Sequence, residues 1–385
     1  MNKNIIKAMA AGILTLGLAS CENSEVSFPD YEGGVTVYFA YQTPVRSMML
    51  GTDDLGSTAD NDTHTCKIYG TMGGAYNGKN IKVEVAVDNS LCDNLYFDQN
   101  CTQPVVAMPS NYYQLAGTTL DYNGDIKGGV DVKLTDAFFA DPEACKVHYV
   151  IPVVMKSQTG ADQILTGELA PGIDAANRLD GDSWSVAPMD YVLYCVKYVS
   201  KFEGYYLPMG TITSSYNGTP ATKNLQYDAW ERVPEGEIVY LQTVGQNQVA
   251  LPFQVTGSKT INVNGEDKAL SRLYKGTAIL TFNGNECSIS CSGTGIWEHQ
   301  EWDDAEGKPK TITDVVPMSL TGNGTYTEQS DKYLWAAKKR NGLTMKFDAA
   351  FDCAEAAAYG MNLDMALQRR GQGNTVEEFT VTLKK

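Results

Sequence analysis

Seven Asn-Gly pairs punctuate the chain, at Asn77, Asn123, Asn217, Asn264, Asn283, Asn323 and Asn341. Both residues of such a pair tolerate positive φ, as a type I′ turn requires, and that turn matches the twist of two paired strands. Several of the pairs join segments in which apolar and polar residues alternate. In one, Thr277–Phe282 meets the strand around Cys287 through Asn283-Gly284; in another, Tyr333–Arg340 meets Leu343–Phe347 through Asn341-Gly342. With 36 glycines and 22 tyrosines in 385 residues, the expectation is an all-β chain, overwhelmingly antiparallel. Helix is confined to one turn at Thr135–Pro142 and one or two short pieces within Ala354–Arg370.

The order of segments predicts two domains. Strand-like runs at Val35–Tyr41, Ile81–Val87, Val130–Leu134, Val147–Met155 and Tyr191–Val199, spaced by turn signals, suggest a β-sandwich over residues 31–200. A fresh set runs from Tyr205-Tyr206-Leu207 to Phe379–Leu383, long enough for a second antiparallel domain over 201–385, a β-barrel or β-sandwich.

Residues 1–20 have the three parts of a secretory leader: charge at Lys3 and Lys7, an apolar run from Ala8 to Ala19, and small residues at the exit point. The run is too short to span a bilayer. Leu18-Ala19-Ser20-Cys21 resembles the lipobox of bacterial lipoproteins, which implies acylation of Cys21 and cleavage just before it. Residues 21–30 then form a tether. Its acidic start, Glu22-Asn23-Ser24-Glu25, resembles the signal that sends Bacteroidetes-type lipoproteins to the outer face of the outer membrane. The expectation is a lipid-anchored protein held on the membrane without a membrane span.

The remaining eight cysteines are expected to be mostly buried small groups. Cys287, Ile289 and Cys291 share one face of a strand, and residues four apart on a strand lie ~13 Å apart, beyond the reach of a disulfide. Cys195 and Cys66 lie in apolar strands of the same kind. Cys92 and Cys101, flanking Asp93–Asn100, are the one local pair placed to close. No CxxC occurs, so a zinc site is not expected. The formal charge of −16 becomes −18 once Lys3 and Lys7 leave with the leader. A surface so acidic repels phosphate backbones, so no nucleic acid is expected as a partner. Lys338-Lys339-Arg340 stands alone and is expected to be a solvated hairpin end.

Several stretches together resemble a known family. They are Phe28–Tyr31, Val37–Phe39 through Pro44–Arg46, Lys67–Gly70, Asp88–Ser90, Met108–Tyr113, Gly129–Phe139 and Tyr191–Tyr198. The resemblance is to an immunoglobulin-like domain of unknown function found in Bacteroidetes outer-membrane lipoproteins of polysaccharide-utilisation systems. It covers residues 26–200. The rest resembles the β-rich, lipocalin-like domain that often follows. The implied role is capture of a glycan at the cell surface, alongside an outer-membrane glycan transporter complex, with no established catalytic residues. Some relatives carry a chitinase-type glycosidase, but Asp348–Glu355 lacks that motif's intermediate carboxylate, and β-α alternation is missing.

Carboxylate pairs such as Asp53-Asp54, Asp180 with Asp182, and Asp303-Asp304 are sequence neighbours in turns. A glycosidase needs two held across a bond. Asp60-Asn61-Asp62 offers oxygen ligands for calcium but lacks the EF-hand glycine and glutamate. Of the three histidines, His64 and His148 have no nucleophile partner, and His299 sits between tryptophans in Trp297–Trp302. No cofactor, metal or catalytic residue is therefore expected. Aromatic rings near turns are better candidates, because the C–H faces of sugars stack on them while nearby polar groups bind hydroxyls. Trp302, Trp297, Trp230 and Trp184 have such company. The expected function is glycan binding without catalysis. The alternatives are a glycoside-active enzyme with dispersed carboxylates and a structural or adhesive lipoprotein binding a protein partner.

Overall fold

The computed structural model describes residues 30–51, 61, 63–174, 176–226, 237–335, 338–369 and 377–385. Cys21 and the tether to residue 29 lie outside them, as does Trp230. The first part holds β1 (Thr36–Tyr38), β2 (Pro44–Met49), β3 (Thr65–Gly73), β4 (Lys82–Val87), β5 (Leu95–Tyr96), β6 (Val106–Ala107), β7 (Tyr113–Leu115), β8 (Thr119–Asp121) and β9 (Lys127–Leu134). It continues with α1 (Asp136–Ala140), β10 (Tyr149–Thr159), β11 (Gln163–Ile164), β12 (Glu168–Leu169), β13 (Trp184–Val186) and β14 (Tyr191–Val199). The second part holds β15 (Gly204–Tyr216), β16 (Thr219–Leu225), β17 (Val239–Gly245), β18 (Gln248–Val263), β19 (Glu266–Asn283), β20 (Glu286–Ser290), β21 (Thr294–Asp303), β22 (Lys308–Trp335), β23 (Lys338–Phe351) and β24 (Ala357–Arg369). Two short strands end the chain, β25 (Glu377–Glu378) and β26 (Thr382–Leu383). The fold is all-β with two domains. No helix among the described residues is long and apolar enough to cross a membrane.

In the first sheet the order is β11-β1-β3-β9-β8-β4-β10-β14-β2-β25. Antiparallel pairs dominate, with β2 joining β14 in parallel. Its two halves face each other across one core: Val37, Ile68, Val130 and Val132 from one side meet Val83, Ile151, Val153, Val192 and Val196 from the other. The strands β10 and β14 carry unbroken apolar runs because both their faces are covered. Their second face, Val150, Val154, Leu193 and Cys195, packs under Leu91, Leu95 and the C-terminal residues Phe379, Val381 and Leu383.

That tail corrects the expectation that Phe379–Leu383 closes the second domain. β25 pairs with β2 and β26 with β5, so the chain returns to the first sheet. Phe379 meets Phe97 edge-on, with centroids 5.2 Å apart. The apolar pattern showed that these residues needed a core but not which core.

The second sheet closes on itself. β24 pairs with β15 from Ala357↔Tyr216 to Arg369↔Tyr205, which joins the last strand of the order to its beginning. Phe202, Tyr206, Leu241, Phe253, Tyr274, Phe282, Phe347 and Tyr359 belong to one core inside this barrel. Phe202 stacks on Phe282 at 3.5 Å and Phe253 on Tyr359 at 4.7 Å. These side chains pack the interior of the barrel as a core.

Two expectations fail in instructive ways. Within the expected helix Ala354–Arg370 the described residues, 354–369, are not helical: Ala357, Tyr359, Met361, Leu363, Met365 and Leu367 are all buried, a period of two, and they form one face of β24. Good helix formers yield here to the burial that strand pairing offers. Asn341-Gly342 makes no turn. Asn341 is buried within β23, donates to the Tyr326 hydroxyl at 2.8 Å and accepts from the Gln329 amide at 2.9 Å. Gln329 carries the positive φ nearby, of 46°. Asn323-Gly324 is likewise inside β22. Asn217-Gly218 and Asn264-Gly265 are the turns their dipeptides promise, with φ of 46° and 79°, and of 54° and 86°. Among the cysteines, Cys66, Cys195 and Cys287 are buried, and Cys92 and Cys101 are free thiols.

Candidate functional site

None of the described tryptophan candidates offers an open ring. Trp184 is half-buried, and its indole N–H donates to the Asn177 carbonyl at 2.9 Å. Trp302 is half-buried on β21, opposite Pro309. Trp297 lies on the same strand, five residues away and so on the other face. It packs against the barrel core between Tyr274, stacked at 6.0 Å, and His299, stacked at 3.9 Å. The Trp297 indole N–H and His299 Nδ1 are buried without a hydrogen-bond partner.

Beside that stack is a charged knot that the sequence did not announce. Arg272, 3% exposed, holds Glu355 through Nε at 2.7 Å and Nη2 at 3.4 Å, and its Nη1 donates to the carbonyl of Gln300 at 2.7 Å. The hydroxyl of Tyr216 donates to Glu355 at 2.5 Å, and Tyr274 donates to its backbone carbonyl at 2.6 Å. Lys259 adds a contact at 3.3 Å. The bonded Arg272 guanidinium, helped by Tyr216 and Lys259, overcomes desolvation and holds the Glu355 carboxyl down at about 2. Burial and the Glu355 carboxylate push the Tyr216 phenol up to about 12. An acid so strongly ionised and so fully bonded has no proton to lend. The knot ties β15, β18, β19 and the turn before β24 together, and its role is to hold the barrel closed.

The two most deeply buried carboxylates among the described residues are committed in the same way. Asp190 pairs with Arg178 at 2.9 Å, and Glu203 accepts from Tyr240 at 2.9 Å and from the Thr243 amide at 2.7 Å.

Among the described residues the most exposed aromatic rings are tyrosines of the first domain. Tyr41 and Tyr69 are 51% and 54% exposed. They flank a cleft of about 490 Å³ that Arg46, Lys67, Lys127 and Tyr194 also line. Its position follows from the sheet. β1 pairs with β3 only at Thr71–Gly73, so Cys66–Gly70 presents an edge there among the described strands. The cleft opens between that edge and the β1–β2 connection.

Alternation along β3 turns Cys66, Ile68 and Gly70 inward and Lys67 and Tyr69 outward. Tyr69 lies opposite Gly129 of β9. A Cβ at Gly129 would stand 2.7 Å from Lys67 Cδ and 3.0 Å from Tyr69 Cδ1, so the missing side chain lets the ring lie across β9. Lys67 and Lys127 reach over this ring, with ammonium groups 5.9 and 5.5 Å from its centroid. Lys67 also pairs with Asp131 at 3.1 Å. Across the cleft, Arg46 donates to the Asn61 side-chain carbonyl at 3.0 Å, and Asn61 donates to the Met49 carbonyl at 3.0 Å. Asn61 thus serves as a brace. Its neighbours in the calcium reading, Asp60 and Asp62, lie outside the described residues. Below the rim, the Tyr194 hydroxyl donates to the Lys67 carbonyl at 3.2 Å, and burial raises that phenol far above its ordinary range.

Reading the sequence for tryptophans near turns missed Tyr41 and Tyr69. The signal that pointed to Tyr69 was a tyrosine on the polar face of the Cys66–Gly70 alternation together with Gly128-Gly129 in the neighbouring strand.

The barrel has known kin. Residues 201–370 match the family model of a domain of unknown function, DUF5627. The DUF5627 match ends where β24 ends and leaves out the tail that returns to the first sheet. Residues 30–162 match a second model, described as an N-terminal domain. A Bacteroides ovatus protein of unknown function shares the fold at a TM-score of 0.70 and 27% identity, over 92% of this chain and 100% of that one. A B. ovatus multidomain protein that includes DUF1735 follows at 0.39 and 11%, over 86% of this chain and 93% of its own. A B. ovatus protein titled as a candidate carbohydrate-binding protein has a TM-score of 0.25 and 10% identity, over 89% and 100%. These last two likenesses are too slight to carry an argument. No curated protein matches the chain.

Proposed function

We propose that this chain is a lipid-anchored surface protein that captures a glycan in the Tyr41–Tyr69 cleft without cleaving it, as part of a glycan-uptake system. The observation that carries the reading is a pair of half-exposed tyrosine rings on the two sides of one cleft. Rings in that position supply stacking faces for sugar C–H groups, and the guanidinium, ammonium and strand-edge backbone groups around them supply hydrogen bonds to hydroxyls. The absence of cleavage is supported by the commitment of Glu355, Asp190 and Glu203 to partners within the fold. The membrane anchor is supported by Leu18-Ala19-Ser20-Cys21.

Residues 22–385 incubated with a panel of polysaccharides test both halves of the reading when retention and release of reducing ends are scored together. Retention that Tyr69→Ala abolishes is the expected result. Sugar release would establish the glycosidase alternative, and retention on no glycan would overturn the binding reading in favour of a protein partner. For the anchor, wild-type cells should incorporate labelled palmitate into the protein and Cys21→Ser cells should not.

A further inference from the structure

We propose that the glycan taken by this cleft is anionic, bearing carboxylate or sulfate groups along its chain. The proposal rests on the reading above and gives the ligand its charge. The chain as a whole carries −16, with 46 acidic residues against 30 basic. Against that background the described lining of the cleft contains Arg46, Lys67 and Lys127 and neither Asp nor Glu. Of the three, Lys67 is compensated by Asp131. Arg46 is bonded to a neutral amide, that of Asn61, which fixes the guanidinium, and it makes no ion pair among the described residues. Lys127 stands over the Tyr69 ring and makes no ion pair among the described residues.

A neutral sugar would need the rings and a few hydrogen-bond partners. It would gain no more than hydrogen bonds from two cations on opposite sides of the groove that have no ion pair among the described residues. An acidic polymer meets each of them with a charge-assisted bond while its ring faces lie on Tyr41 and Tyr69. The surrounding acidic surface repels such a polymer elsewhere, so the cleft is where the field favours it. This arrangement discriminates as well as attracts, because a neutral glycan brings no counter-charge to Arg46 and Lys127.

The test uses soluble residues 22–385 and two pairs of probes that differ only in charge: dextran sulfate with dextran, and polygalacturonate with its methyl ester. Binding is measured by calorimetry at 50 and 500 mM NaCl. At the lower salt the charged member of at least one pair should bind about tenfold or more tighter than its neutral partner, an advantage that salt removes by screening. The pair that shows it separates sulfate from carboxylate. Lys127→Gln should weaken the charged probe about fivefold, the order expected of one exposed charge contact near 4 Å, and Lys127→Glu should weaken it further. Both variants should weaken a neutral probe by less than they weaken the charged one, because a hydroxyl loses only a hydrogen bond there, and thermal melting should confirm that both are folded.

Equal binding of neutral and charged probes, lost in Tyr69→Ala, would overturn the charge assignment and leave glycan capture standing. Charged binding that survives both Tyr69→Ala and Lys127→Glu would place the contact elsewhere and overturn the proposal. Binding of no probe at all would overturn glycan capture together with it.

Discussion

Replacing Glu355 by glutamine tests the closure of the barrel. The substitution keeps the shape of the side chain and removes its charge, leaving Arg272 buried at 3% exposure without its anion. Breaking a buried ion pair from one side typically costs about 3–5 kcal/mol. The acid dependence gives a second, independent magnitude. The Glu355 carboxyl falls from an ordinary 4.5 to about 2 on folding. A lowered carboxyl pKa contributes stability above the unfolded value and loses it as pH falls toward the folded one. Linkage then gives about 3 kcal/mol at pH 7 and about 1.4 kcal/mol at pH 3, a loss of about 2 kcal/mol between them. Other carboxylates contribute to the acid sensitivity of the wild type, so the quantity to compare is the difference between the two proteins. Urea unfolding followed by tryptophan fluorescence at pH 7 and pH 3 supplies it. Glu355→Gln should be the less stable at pH 7, and the gap should narrow by about 2 kcal/mol at pH 3. Pairing Arg272→Met with Glu355→Leu should recover part of the loss, because neither charge is then stranded. A gap that stays constant with pH would refute the assignment of Glu355 as the ionised partner of Arg272.

Three further outcomes follow from the same structure. Gly129→Val should push Lys67 and Tyr69 out of their seats and weaken glycan retention about tenfold with little change in melting temperature, as scored on the polysaccharide panel. Deleting residues 377–385 should destabilise the first domain by about 3–5 kcal/mol, since it strips Phe379, Val381 and Leu383 from the second face of β10 and β14; denaturant titration measures it. Iodoacetamide at pH 8 should leave Cys66, Cys195 and Cys287 unmodified until denaturant is added, because all three are buried and desolvation pushes the thiols of Cys195 and Cys287 up to about 12 and 11; intact mass counts the labels.

Much of the fold was legible in the sequence because alternation and turn chemistry are local. The run Tyr191–Val199 is β14 to the residue, Cys287 and Ile289 share a buried face, and Asn264-Gly265 turns β18 into β19. Failures arose where a distant partner outvoted a local signal. Asn341-Gly342 has the composition of a turn, but Tyr326 and Gln329 bind the Asn341 side chain and hold it in a strand. Ala354–Arg370 is rich in helix formers, yet closure of the barrel recruits it as β24. The candidate site was less legible still. Tyr69 matters because β1 stops short of it and Gly129 lies beneath it, and both facts depend on strand register. Trp297 drew attention by its polar neighbours, but its ring packs against the barrel core, stacked between Tyr274 and His299.

The return of the tail also has a consequence for the order in which the molecule is made. Synthesis delivers the first domain first, yet the cover over Val150, Leu193 and Cys195 that Leu91 and Leu95 begin is incomplete until residues 379–383 arrive. Part of an apolar face must therefore wait, exposed, while the entire barrel is produced, and a chain interrupted anywhere in the second domain leaves the first unfinished. The half of the protein that carries the cleft begins folding earliest and is completed last, so a finished cleft domain certifies that the whole chain has come through.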